Sequence, residues 1–264
     1  MSFKKLIPLS LIFLTPFVGE ASTCSGARPD LSLVLAIDVS GSVDKKEMET
    51  QLKGYRDAFL SPMVQQNLLG CQCTEISVIL WAEKAAVAYP ATKMSGPEEV
   101  SKLSNFFDNL SKNPSPSVTY GLSETTELTN MLEASGKYLL DLPSRAIRLA
   151  INVSGDGTIP NFASASLSRL RARKDFLINN DITVNGIPIV VYEGSDFVPV
   201  QNAGGILSPL SQRSTQAPLY SDVAEFFDKE VRTPYGFLQR AEGYDDFPLA
   251  VQKSLERTTC NLMM

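Results

Sequence analysis

The sequence predicts an α/β protein, built as a doubly wound, mostly parallel sheet with helices on both faces. Short apolar runs alternate along the chain with segments in which apolar residues recur at helical spacing. The strongest apolar runs lack polar alternation, which is typical of strands buried on both faces of a sheet. The 264 residues are 44% hydrophobic and 20% charged, so the chain can bury a substantial core.

The predicted strands follow the apolar runs in order. Residues 31–37 (LSLVLAI) form a buried central strand, and the run that ends at Trp81 forms a second. Asn185-Gly186 suggests a kink in one of the later strands. The remaining strands are predicted at 85–89 (a short edge strand), 146–153, 182–191 and 236–241.

The first helix has both a start signal and an apolar face. Asp44-x-x-Glu47 is a variant of the capping box, which satisfies free backbone amides at a helix start. Its apolar positions recur at helical spacing, and Ser61-Pro62 is predicted to end it. These apolar positions are Met48, Leu52, Tyr55 and Phe59. Further helices are predicted around 100–110, from near Tyr120, and over 163–179, 221–231 and 246–257.

The N-terminus has the features of a secretory signal peptide over residues 1–21. Lys4 and Lys5 form a basic start, an apolar stretch covers residues 6–18, and Gly19-Glu20-Ala21 resembles a cleavage site. A buried first strand or helix is the alternative interpretation. The apolar stretch is too short to span a membrane as a helix. We therefore predict an exported chain, periplasmic or extracellular, with a single domain over residues 22–264 and no membrane span.

Two compositional facts exclude whole classes of function. The chain contains no histidine, which excludes Ser-His-Asp and Cys-His catalysis and histidine-ligated zinc. With 24 basic and 29 acidic residues the net charge is -5, so the chain as a whole does not attract nucleic acid. The basic run from Arg169 to Lys174 is predicted to be a solvated helix face.

Oxygen-bearing side chains follow the predicted strands in three loops. The first is Asp38-x-Ser40-x-Ser42, the second contains Thr119, and the third contains Asp156. In an open parallel sheet, ligands bind outside the carboxyl ends of the strands, so these loops can converge. Two carboxylates and three hydroxyls suit a hard cation, Mg²⁺ or alternatively Mn²⁺ or Ca²⁺.

These residues resemble the metal-ion-dependent adhesion site (MIDAS) of von Willebrand factor type A (VWA) and integrin I domains. The sequences IDVSGSVD and VSGDG and the C-terminal tail further resemble a bacterial family of exported VWA-like proteins of unknown function. The resemblance implies that Ser40, Ser42 and Thr119 ligate the metal directly or nearly so. Asp38 would act largely through water, and Asp156 would lie opposite. It also implies a non-enzymatic module that binds a protein ligand presenting a carboxylate, and it sets no oligomeric state.

Two other functions are compatible with the same fold. A metal-dependent hydrolase or phosphotransferase is one, but the first loop lacks a second carboxylate and no general base is evident. A structural VWA domain that binds no metal is the other, and the complete set of five oxygen-bearing residues argues against it.

The sequence also predicts disulfide bonds and one long loop. An exported chain with four cysteines is expected to form disulfides, and the fold places all four at the edge opposite the metal. Cys24 and Cys260 are each expected to bridge to the Cys71/Cys73 pair or to each other. Residues 193–219, rich in Gly, Pro, Ser and Gln, are predicted to form a long loop that borders the metal face and influences partner choice.

Overall fold

A five-stranded sheet in the order β3-β2-β1-β4-β5 forms the centre of the molecule, and only β3 runs antiparallel to its neighbour. The computed structural model describes residues 24, 28–113, 115–157, 164–191, 220 and 222–260. The predicted α/β architecture is confirmed. The strands are β1 Leu31–Asp38, β2 Thr74–Trp81, β3 Ala85–Lys93, β4 Arg148–Gly155 and β5 Ile182–Pro188.

Strand β1 lies at the middle of the sheet because every one of its residues can be buried. It pairs in parallel with β2 on one side and β4 on the other. Leu33, Leu35 and Ile37 enter the core on one face of the sheet, whereas Val34 and Ala36 enter the core on the other. This alternation requires apolar side chains at successive positions, as the sequence has.

Helices cover both faces of the sheet. Helix α1 packs against α3 and α8 and contacts α2, while α5 packs against α6 on the opposite face. The predicted capping box of α1 is present, with reciprocal Asp44–Glu47 hydrogen bonds of 2.8 Å. The helices are α1 Lys45–Leu60, α2 Pro62–Gly70, α3 Pro97–Ser111, α4 Pro116–Thr119, α5 Leu128–Asp141, α6 Ser164–Asn179, α7 Val223–Phe226 and α8 Phe247–Thr259, and a π-helical turn, Phe227–Val231, continues α7.

The region around Tyr120 differs from the sequence prediction. Helix α4 ends at Thr119, and α5 begins only at Leu128. Gly121 and Ser123 have positive φ values, 65° and 46°, which interrupt a right-handed helix. The predicted helix start near Tyr120 therefore moves to Leu128, eight residues along the chain, and the short helix α4 ends before the predicted start.

The end of the sheet also departs from prediction in detail. Residues 236–241 run parallel to β5 but form no continuous ladder with it, pairing through the isolated bridges Gly186–Leu238 and Ile189–Ala241. The predicted kink at Asn185-Gly186 is not seen, since both residues keep regular register with β4. A side chain at Gly186 would meet Leu238 at 2.6 Å and Phe227 at 2.9 Å, so this glycine allows close packing.

Two disulfides fasten the amino end of the sheet. Cys24 bridges to Cys73, and Cys71 bridges to Cys260. The sequence prediction that Cys24 and Cys260 each pair with the Cys71/Cys73 couple is one of its two alternatives, and it is confirmed.

Two predicted segments lie outside the described residues. They are the signal peptide, residues 1–21, and the long loop, residues 193–219. In the part of the chain that the structure describes, no helix has the length and apolar character to cross a bilayer.

Candidate metal site

Asp38 ends β1 with a carboxylate that is fully buried. The backbone around it is fixed, because Val39 N donates to Trp81 O at 2.9 Å and Gln51 Nε2 donates to Asp38 O at 3.0 Å. Asp38 Oδ1 accepts the backbone N–H of Ser40 at 2.9 Å. Asp38 Oδ2 is also buried and has no hydrogen-bond partner among the described residues.

A chain of hydrogen-bonded hydroxyls connects the first loop to Asp156. Thr126 Oγ1 lies 3.0 Å from Ser40 Oγ, and Ser40 Oγ lies 3.1 Å from Ser42 Oγ. Ser42 Oγ donates to Asp156 Oδ1 at 2.9 Å, and Tyr244 Oη donates to Asp156 Oδ2 at 3.0 Å. Four of the five predicted residues, Asp38, Ser40, Ser42 and Asp156, therefore belong to one connected group.

Thr119 is not brought into this group by any hydrogen bond of the described chain. At the end of α4, its hydroxyl donates to Ser115 O at 3.1 Å and accepts from Asn113 Nδ2 at 2.9 Å. The threonine that reaches Ser40 is Thr126, two residues before α5 begins. The predicted helix start near Tyr120 lies eight residues before the observed one, so Thr126 falls in the loop before α5 and was not among the predicted site residues.

The loop before α5 is held against the first loop by a backbone contact. Gly41 N donates to Glu124 O at 2.8 Å, and a side chain at Gly41 would meet Glu124 Cβ at 3.1 Å. Helix α5 starts with Glu127, whose side chain accepts from Thr129 N at 3.3 Å. Glutamate is an uncommon N-cap residue, which explains why sequence signals did not mark this helix start.

The two carboxylates, Asp38 and Asp156, share a site in which no basic side chain of the described residues neutralises them. Burial and the nearby charge of Asp156 raise the pKa of Asp38 to about 8. Burial likewise raises the pKa of Asp156, against the lowering effect of hydrogen bonds from Ser42 and Tyr244. Burial is also the main cause that raises the pKa of Tyr244, so its phenol stays protonated and donates. No ion pair within the described ranges includes either carboxylate.

Gly155 makes room for the Asp38 carboxylate. A side chain at this position would lie 2.7 Å from Asp38 Oδ2 and 3.2 Å from Trp81 Cζ2. Trp81, the one tryptophan of the chain, is fully buried beside the site. Its fluorescence is therefore a natural reporter of events at Asp38.

The donor set fits a hard divalent cation. Two carboxylates and three hydroxyls offer only oxygen, and the buried Asp38 Oδ2 lacks a partner. Among the described residues there is no group of three or more His, Cys, Asp or Glu side chains, so a carboxylate-rich or thiolate site is not formed there. The hydroxyls leave a bound cation only partly neutralised by the protein.

A cleft of about 210 Å³ opens beside the hydroxyl cluster, between the first loop and the start of α4. Val39, Val43 and Met48 line it and are buried, but its exposed lining is mostly polar and includes Asp44 and Glu124. Ser115 and Ser117 line the α4 side.

The basic run on α6 is occupied by intramolecular contacts. Arg171 pairs with Glu230 at 2.7 Å, and Arg173 pairs with Glu133 at 2.9 Å. Lys174 Nζ donates to Lys229 O at 2.7 Å. These residues bind neighbouring elements of the same chain, in keeping with the prediction of a surface face.

Comparisons with known proteins agree on the fold. The family model described as "Protein of unknown function (DUF1194)" matches residues 28–262. None of the curated protein sequences matches. A VWA protein from Catenulispora acidiphila superposes with a TM-score of 0.53 at 16% identity, covering 88% of this chain and 42% of that one. BatB from Bacteroides thetaiotaomicron gives 0.51 at 14%, covering 86% and 98%.

A third similar structure contains a metal. Proximal thread matrix protein 1 from the mussel byssus, solved with zinc in its MIDAS motif, has a TM-score of 0.50 at 12% identity. The match covers 87% of this chain and 46% of that one. At these identities the likeness establishes the fold, which is that of a VWA domain.

Proposed function

Because the chain belongs to the DUF1194 family, whose function is unknown, its role is inferred from the site, and we propose that it is an exported, metal-dependent protein-binding module. In this proposal a divalent cation sits among the oxygen atoms at the carboxyl end of β1 and recruits an acidic residue of a protein partner.

The observation that carries the proposal is the unpartnered Asp38 Oδ2. A buried oxygen without a hydrogen bond costs about 1–3 kcal/mol, and more when it is charged. It shares its site with a second carboxylate, and both are unpaired with any basic side chain of the described chain. A cation bound at this position offsets the cost of both carboxylates.

The residues that would hold the cation are Asp38, Ser40, Ser42, Thr126 and Asp156. Thr126 takes the role that sequence analysis gave to Thr119, because it is the threonine hydroxyl bonded to Ser40. Mg²⁺ is the proposed ion, with Mn²⁺ and Ca²⁺ as alternatives. A cation held mainly by neutral hydroxyls retains Lewis acidity, which is the chemistry it would supply to an incoming carboxylate.

A binding role is supported over a catalytic one by the chemistry of the neighbouring side chains. The chain has no histidine, and the groups around the two carboxylates are serine, threonine and tyrosine hydroxyls. Hydrolysis of a generic phosphoester by the purified protein, lost in Asp38→Ala, would contradict this part of the proposal.

Export is supported by the two disulfides and by the signal-like residues 1–21. The long segment 193–219 follows the strand-β5 region, and we propose that it contributes to partner choice. Deleting the segment should change which partner binds while the cation affinity stays the same. Unchanged partner binding after the deletion would contradict this role.

The first test is calorimetric titration of Mg²⁺ and Mn²⁺ into the mature chain, repeated by Trp81 fluorescence. We expect one bound cation in the wild type and none in Asp156→Ala. Thr126→Ala should weaken binding about tenfold or more, while Thr119→Ala, its matched control on the same loop region, should bind like the wild type. The reverse order for the two threonine variants would restore the original assignment to Thr119.

The second test addresses the partner. A random displayed-peptide library is selected on the protein with Mg²⁺ and eluted with chelator. We expect the eluted peptides to contain an aspartate or glutamate, and their Asn or Gln counterparts to lose binding. Peptides that bind equally in chelator would show that the cation does not mediate recognition.

A further inference from the structure

Tyr244 reaches the candidate metal site from the turn that precedes α8. Its side chain is buried, with 8% of its surface exposed, and its hydroxyl donates to Asp156 Oδ2 at 3.0 Å. The two residues are 88 positions apart in sequence. Neither the strand pattern nor the three predicted loops indicated this contact.

The contact divides the two oxygens of Asp156 between different partners. Oδ1 faces the hydroxyl cluster through Ser42, while Oδ2 is held by Tyr244 on the other side. Asp156 can therefore present a single oxygen to a cation among the hydroxyls of Ser40, Ser42 and Thr126.

The backbone that carries Tyr244 is fixed on both sides. Ala241 N donates to Pro188 O at 3.0 Å, and Val190 N donates to Ala241 O at 2.9 Å, which attaches the preceding residues to the β5 region. Tyr244 O accepts from Phe247 N at 3.3 Å at the start of α8. A phenol on such a support holds its carboxylate in one orientation.

A carboxylate restricted to one oxygen discriminates between divalent cations. Ca²⁺ takes six to eight oxygen ligands and commonly uses both oxygens of a carboxylate. Mg²⁺ requires near-ideal octahedral geometry and uses few carboxylate oxygens. On the basis of the proposed cation site, we propose that Tyr244 is a positioning residue that restrains Asp156 and makes the site favour Mg²⁺ or Mn²⁺ over Ca²⁺.

The test compares two tyrosine variants that each lose one buried phenol hydroxyl. Tyr244→Phe removes the donor to Asp156. Tyr220→Phe is the matched control, because Tyr220 is 6% exposed and donates to a different carboxylate, Glu230 Oε1, at 2.8 Å. Affinities for Mg²⁺ and Ca²⁺ are measured by titration with Trp81 fluorescence, and thermal unfolding is measured in chelator.

We expect Tyr244→Phe to weaken Mg²⁺ binding about tenfold, the lower end of the range for losing a group that orients a metal ligand. Its Ca²⁺ affinity should change less, because Asp156 Oδ2 becomes available, so the ratio of Mg²⁺ to Ca²⁺ affinity falls severalfold. Tyr220→Phe should retain the wild-type ratio. A role in folding alone would not change this ratio.

Two outcomes would overturn the inference while leaving the cation site in place. One is a wild-type affinity ratio in Tyr244→Phe without an unusual loss of thermal stability. The other is an equal loss of both cations together with a much larger drop in the chelated unfolding temperature than in Tyr220→Phe, which would make Tyr244 a folding residue. Absence of cation binding by the wild type would instead refute the proposed function, and the inference with it.

Discussion

Two carboxylates in this molecule, those of Glu230 and Asp156, accept a hydrogen bond from a buried tyrosine, yet their surroundings differ in charge. Glu230, 4% exposed, accepts from Tyr220 and also from Arg171, whose Nε and Nη2 donate at 2.8 and 2.7 Å. Within the described residues, the side chains that donate to Asp156 are those of Tyr244 and Ser42, both neutral groups.

The pKa values of these carboxyl groups shift in opposite directions for the same reason. The hydrogen bond from Arg171 is the largest influence on Glu230 and lowers its pKa. Burial is the largest influence on Asp156 and raises its pKa, and burial raises that of Asp38 to about 8. The described chain thus supplies a cationic side chain, Arg171, to Glu230 and supplies none to Asp38 or Asp156. A site that depends on an external cation is expected to have carboxylates without a basic partner, as Asp38 and Asp156 have.

The largest expected effect is the stabilisation produced by added Mg²⁺, which should depend on Asp156 and not on Glu230. At about 100 times its Kd, Mg²⁺ should raise the free energy of unfolding by about 2.7 kcal/mol. Asp156→Ala should lose this increment, whereas Glu230→Gln should retain it from a lower starting stability. Urea denaturation with Mg²⁺ and with chelator measures both. An equal increment in all three proteins would mean that the cation binds elsewhere.

A smaller effect is expected when each acid is replaced by its amide and stability is measured in chelator. Replacing Glu230 and replacing Asp38 should then have different effects on the free energy of unfolding. Glu230→Gln should lower the free energy of unfolding by about 1 kcal/mol, a modest value because the Arg171 side chain is 57% exposed. Asp38→Asn should leave it unchanged or raise it by about 1 kcal/mol. Because the pKa of Asp38 is raised to about 8, folding at neutral pH must either bind a proton or bury a charge there, and an amide requires neither. Equal destabilisation by both variants would contradict the proposed difference between a paired Glu230 and an unpaired Asp38.

The smallest effect is the pH dependence of the Glu230 contribution. The folded-state pKa of Glu230 lies below its ordinary value, so its stabilisation is complete above the unfolded-state pKa, about 4.3, and is lost as pH falls through the folded-state pKa. The difference in unfolding free energy between wild type and Glu230→Gln should therefore shrink between about pH 5 and pH 3. A difference that grows on acidification would contradict the ion-pair explanation.

The strands and α1 could be predicted from sequence because their signals are local. Successive apolar residues define β1, and Asp44 with Glu47 defines the start of α1. Helix α2 was missed because Ser61-Pro62 was interpreted only as a stop. In the structure Ser61 closes one helix and Pro62 opens the next, where a missing backbone N–H costs nothing.

Two residues of the candidate site could be placed from sequence because they lie at strand ends: Asp38 ends β1, and Asp156 directly follows β4. Thr126 was missed because it depends on where α5 begins, and the positive φ values of Gly121 and Ser123 delay that start. Tyr244 was missed because its contact joins distant segments of the folded chain, and no local pattern encodes such a contact.

The Cys71–Cys260 disulfide has a topological consequence. Its cysteines are 189 residues apart, so a single backbone cut at any bond between them leaves two fragments that remain covalently joined. A cut within residues 193–219 would leave α8 and Tyr244 on the smaller fragment, still tethered to the rest of the domain. A protein nicked there would migrate as one species on a gel without reductant and as two after reduction.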